Sequence, residues 1–162
     1  MRRMNLDPRT SHIMLNSTRL IVFLILFLTP CWASAAEQEN IKLQRQVLET
    51  EKAFARTMAE RDFQSFVTYL SPEAIFFAGD MTLRGSDEVA VAWKPYFEPA
   101  EAPFSWEPRT VEVLESGTLA LSSGPVHDPG GQCIGTFTSI WRRSTDKTWK
   151  IIFDKGSHDC AE

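Results

Sequence analysis

The sequence predicts an α+β domain in which three helices pack on one face of a cone-shaped, curved antiparallel sheet. Three observations lead there. Apolar residues recur at helical spacing in the first half of the mature chain. Turn residues divide the second half into short β-rich segments. The resulting order is helix, helix, short hairpin, helix, then a four-stranded meander, which gives the helices one sheet to cover.

The chain has 162 residues, the size of one domain. Residues 1–35 read as a secretory signal peptide. Arg19 precedes the apolar run "LIVFLILFL", Leu20 to Leu28, and Ala33-Ser34-Ala35 is a small-residue cleavage site, with the cut after Ala35. The run is too short for a spanning helix and Pro30 closes it. The domain is then residues 36–162, secreted or periplasmic, and off the membrane once cut. The formal net charge is −4, and residues 1–35 carry Arg2, Arg3, Arg9 and Arg19 against one acid, Asp7. The mature domain is therefore more acidic still, which argues against nucleic acid or an anionic membrane as partner.

The elements follow in order. In "IKLQRQVLETEKAFARTMAERD", Leu43, Val47, Phe54 and Met58 share one helical face. In "DFQSFVTYLS", Phe63, Phe66, Val67 and Leu70 repeat the pattern, Asp62 is placed to cap, and Pro72 is expected to end the helix. "AIFFAG" and "MTLRG" form a hairpin around Gly79-Asp80. Ser86 is expected as N-cap of "SDEVAVAWKPYF", which Pro95 ends and whose Val89, Trp93 and Phe97 share a face. The segments "FSWEPRTVEVLES", "TLALSSGPVHD", "QCIGTFTSIWRRS" and "TWKIIFDKGSHD" make the meander.

The turns suggest a register. If Arg143 faces Thr148 and His127 faces Gln132, then Gly124, Gly135 and Gly156 share one row across three strands. A glycine row marks a bend or a close backbone approach. Ser122, Phe137 and Asp154 then share the next row inward, with Ile151 and Phe153 on the opposite, core face. An acid beside phenylalanine on a curled sheet can have its pKa raised by desolvation, as a general acid or base requires. Asp154 is the candidate catalytic group, with His127 as a possible helper. At the rim, Cys133 lies diagonal to Cys160 and can staple the C-terminus in an oxidising compartment. The His and Asp residues at that rim match no zinc spacing, so no metal is expected.

No nucleophile-elbow, zinc-protease or phosphate-loop pattern occurs in the mature domain, so no cofactor is expected. Trp93, Phe97, Trp106 and Trp141 are numerous aromatics for a small domain. A cone-shaped sheet closed by helices leaves an apolar cavity that they can line with Ser122 and Phe137.

The stretches "ETEKAFARTMAERDFQSFVTYLSPEAIFF", "LRGSDEVAVAW" and "FTSIWRRSTDKTWKIIFDKG" resemble the nuclear transport factor 2-like superfamily, closest to its SnoaL-like and domain-of-unknown-function 4440 branch. The resemblance runs from about Val47 to Gly156. It implies a cone-shaped α+β barrel, often dimeric through the sheet, with a pocket between sheet and helices. Members include ketosteroid isomerases, polyketide cyclases, dehydratases and binding modules without catalysis. The ketosteroid isomerase set does not carry over: Phe54 stands where the catalytic tyrosine belongs and Ala78 where the aspartate base belongs, with Asp80 displaced into the turn. The histidine pair of many SnoaL-like proteins falls at Phe153 and Lys155. The first expectation is therefore an exported homodimer binding a small, largely apolar molecule. The alternatives are an isomerase, cyclase or hydrolase acting through Asp154, and an interaction module.

Overall fold

The computed structural model describes residues 31–160. The apolar run Leu20–Leu28 lies outside them. Helix α1 spans Cys31–Ala59 and α2 spans Phe63–Thr68, with the Asp62 carboxylate accepting from the Ser65 amide at 2.9 Å. Arg61, between them, adopts a left-handed φ of 62°. Its guanidinium stacks on Phe97, 5.3 Å from the ring centre, and donates to the Pro99 carbonyl at 3.1 Å. That contact ties the corner of the two helices to the segment that ends the third.

Strands β1 (Leu70–Ala78) and β2 (Met81–Arg84) form the hairpin around Gly79. Pro72 does not end α2. It lies inside β1, where pairing with the last strand is interrupted between Leu70 and Ile75 and no ladder N–H is needed. Helix α3 (Ser86–Trp93) runs into a 3₁₀ turn, Lys94–Phe97, at Pro95. Ser86 is not its N-cap: Gly85 holds that place with φ 86°, and Glu88 reaches back to accept from the Arg84 amide at 2.8 Å. Then come β3 (Ser105–Trp106), β4 (Thr110–Val113), β5 (Leu119–His127), β6 (Cys133–Arg143) and β7 (Trp149–Ser157). The first meander strand is split in two around Pro108, and both pieces pair with β5.

The sheet order is β2-β1-β7-β6-β5-β3, with β4 also on β5. It is antiparallel throughout except for β1 on β7, which is parallel. The helices cover one face of this curved, unclosed sheet. The described residues from Glu37 on form one compact unit, and its core joins Val47, Phe54 and Met58 of α1 to Phe66, Phe76, Val89, Trp141 and Ile151.

The register departs from the turn-based expectation at both hairpins. His127 faces Cys133 and Arg143 faces Trp149, each one residue away from the expected pair. Each hairpin then carries a bulge, near Ile134 in β6 and near Ile152 in β7. A one-residue slip flips a strand's faces, and a bulge flips them again. Beyond the bulges, side chains regain the expected face with their partners shifted by two. Gly124 and Gly156 thus flank Phe137, and Gly135 leaves the row. Asp154 faces Ser139 instead of Phe137. Ile151 is buried as expected, but Phe153, on the far side of the bulge, is 42% exposed.

Candidate functional site

The inner face of the sheet changes character from row to row. Leu70, Ile151, Trp141, Ala120 and Val113 form a first row that is apolar and buried throughout. Phe76, Asp154, Ser139, Ser122 and Val111 form the second, polar at its centre. The third holds Gly156, Phe137 and Gly124. Gly124 is required by packing, since a Cβ there would stand 1.9 Å from the Glu107 carbonyl oxygen. Gly156 is different: a Cβ there would meet nothing within 4 Å. The missing side chain helps to open a cavity of about 360 Å³.

Phe54, Phe76, Trp93, Trp106 and Phe137 supply its apolar walls. Trp93 is fixed by stacking on Phe66, with ring centres 5.0 Å apart, and by edge contacts to Phe76 and Trp106. Met81, Ile134 and Tyr96, all exposed, edge the opening. Among the described lining residues, the ionisable side-chain types are Asp154, His158 and Tyr96. The Asp154 carboxylate accepts from Ser139 Oγ at 2.6 Å. Burial raises its pKa from the ordinary 3.8 to about 7, opposed by the Ser139 bond and reinforced by the nearby Glu51 charge. The residue keeps some surface toward the cavity, while the surrounding protein withdraws its carboxyl from bulk water.

Glu51 comes to the same row from α1 and is fully buried. Its Oε1 accepts from Trp106 Nε1 at 2.8 Å. Its Oε2 accepts from Trp141 Nε1 at 3.0 Å and from Ser122 Oγ. Trp141 also donates to Ser122 Oγ at 2.9 Å. Burial raises the Glu51 pKa, and the bonds from Ser122, Trp106 and Trp141 oppose that rise.

Of the residues singled out from sequence, Asp154, Trp93, Trp106 and Phe137 line the cavity. Three do not. Ser122 and Trp141 are spent on Glu51, below the cavity wall. Phe97 packs into the aromatic core, 5.4 Å from Phe63 and 5.1 Å from Phe66. His127 is also outside: Val126 lines the cavity and strand alternation turns its neighbour away. The histidine that does line it is His158. Cys133 and Cys160 meet at the rim with Cα atoms 6.2 Å apart and their sulfurs placed as a bonded pair. Among the described residues, no three His, Cys, Asp or Glu side chains gather as a metal site.

Glu51 was missed, although the helix stripe points to it. Leu43, Val47, Phe54 and Met58 leave one slot vacant on their face, and Glu51 stands in it.

Residues 47–158 match the SnoaL-like domain. Among solved structures, the fold is similar to that of a protein proposed to be a ketosteroid isomerase from Parabacteroides distasonis, at 22% identity and TM-score 0.56, covering 70% of this chain and 85% of that one. It is similar to a proposed dehydratase of the nuclear transport factor 2-like family from Streptomyces avermitilis, at 19% identity and TM-score 0.60, covering 75% and 99%. A cystatin-like fold protein from Burkholderia xenovorans matches at 18% identity and TM-score 0.61, covering 75% and 95%. A comparison with curated proteins gives no match. At these identities the likeness is one of fold.

Proposed function

The chain belongs to the SnoaL-like domain family, with the nuclear transport factor 2-like fold, and on that footing we propose that it binds a small, largely apolar molecule between sheet and helices. The observation that carries this reading is the cavity itself. Aromatic walls surround one carboxyl that, among the described residues, no Lys or Arg of the lining neutralises. Such a site recognises an apolar skeleton and fixes it through one polar point.

Catalysis at the same point is the second reading, favoured by Asp154. A carboxyl with a pKa of about 7 in a dry wall is tuned to move protons at neutral pH. The reaction would be an isomerisation, cyclisation or hydrolysis, and its second proton carrier would be His158 rather than His127.

The same proposal places the protein outside the cytoplasm. Residues 1–35 act as the signal, and the Cys133–Cys160 bond closes the rim after export. It also pairs two copies through the outer sheet face. There Ile75, Phe153, Ile140 and Leu121 form a cross-strand apolar row, and none of the four is buried.

Native mass spectrometry of the mature protein purified from its own host tests these points together. The expected species is a dimer carrying a small organic molecule. An empty dimer would contradict the binding reading, and a monomer would contradict the pairing.

A further inference from the structure

Two acids share the polar row, and only one of them meets the cavity. We propose that Glu51 is a positioning residue: sealed behind the cavity wall, it takes the negative charge of the pair, so that Asp154 presents a hydrogen-bond donor to a bound molecule. The inference rests on the binding reading for its ligand class, an apolar skeleton bearing an acceptor oxygen such as a ketone.

The donor count assigns the charge. Glu51 receives two indole N–H groups, one on each oxygen, and the Ser122 hydroxyl. Indole N–H groups donate and cannot accept, so they favour an ionised partner. Among the described residues, Asp154 receives only the Ser139 hydroxyl, through Oδ2. Among the described residues, no Lys or Arg lines the cavity. Two carboxylates so placed in an apolar setting do not both ionise readily near neutral pH. The charge settles where more donors stabilise it, on Glu51, and the proton stays on Asp154. The other groups that face Asp154 across the cavity are His158 and Tyr96, both toward its opening. Lys155 points to the opposite sheet face, beside Thr138.

Carboxyl ¹³C NMR of the full mature protein, labelled at Asp and Glu, reads this without any ligand. In the wild type, Glu51 is expected to ionise at lower pH than Asp154. In Glu51→Gln, the Asp154 midpoint is expected to fall by about one unit or more. An unchanged midpoint in the folded variant would overturn the proposal. If that variant does not fold, the wild type decides, because Glu51 remaining protonated throughout the Asp154 titration would overturn it equally.

The ligand class has its own arm. Prodan, a neutral naphthyl ketone, should bind about tenfold more weakly above the Asp154 midpoint than below it, the worth of one hydrogen bond. The midpoint of that loss should move to lower pH in Glu51→Gln. Prodan binding that is flat with pH would overturn the donor assignment. Absence of prodan binding at any pH would instead overturn the cavity reading, leaving the NMR result intact.

Discussion

Replacing Asp154 with asparagine keeps the shape of the side chain and removes its titration. The folded-state pKa of about 7 lies above the ordinary 3.8, so between these values the folded chain keeps a proton that the unfolded chain has lost. Wild-type stability should therefore fall as pH rises from about 4 to about 7, with the full loss present above that window. Asp154→Asn should remove the slope. Urea unfolding should find it more stable than wild type at pH 8 by about 1–4 kcal/mol, the upper figure being the undiscounted shift, and not at pH 4. Equal gains at both pH values would mean that the carboxyl is not desolvated. At this scale the sequence was partly legible. Asp154 stood out as an acid leaving an apolar strand. Glu51 was overlooked because a glutamate among lysines and arginines on a helix reads as solvated. Its place in the Leu43–Met58 stripe was the available signal, and its indole donors come from strands that only the fold brings near.

Between strands, glycines separate two kinds of constraint. At Gly135, a Cβ would stand 2.1 Å from the Ser157 carbonyl oxygen, so β6 and the end of β7 would have to part. At Gly156 the same addition meets nothing within 4 Å. Thermal unfolding should therefore find Gly135→Ala destabilised by about 2 kcal/mol or more, and Gly156→Ala within about 1 kcal/mol of wild type. Similar losses at both would contradict the register. Element types and order followed from periodicity and turn residues, since those signals are local. The register did not, because a bulge leaves no mark in an alternating apolar strand. "WKIIFDKGS" reads as a regular strand, yet the bulge near Ile152 puts Ile151 and Asp154 on one face and exposes Phe153. The parallel pairing of β1 with β7 likewise depends on which distant strands meet, which no local pattern specifies.

For the whole molecule, the row pattern explains why a cavity exists at all. The apolar row closes against α1, the polar row is satisfied by Glu51, and the row containing Gly156 lacks the side chain that would fill the space. The α+β class was legible from element order, its cone shape from the family resemblance, and a cavity beneath the sheet was a reasonable consequence. Which aromatics line it was not, because Phe97 and Trp141 carry the same apolar signal as Trp93 and Trp106 and differ only in which neighbours reach them first. If this cavity is a binding site, filling it should weaken or abolish binding. Prodan fluorescence titration should show saturable binding to wild type at pH 6, weakened at least tenfold in Gly156→Leu, whose side chain extends into the empty space, with no loss of thermal stability. Equal affinity in the two proteins would place the dye elsewhere and rule the cavity out as its site.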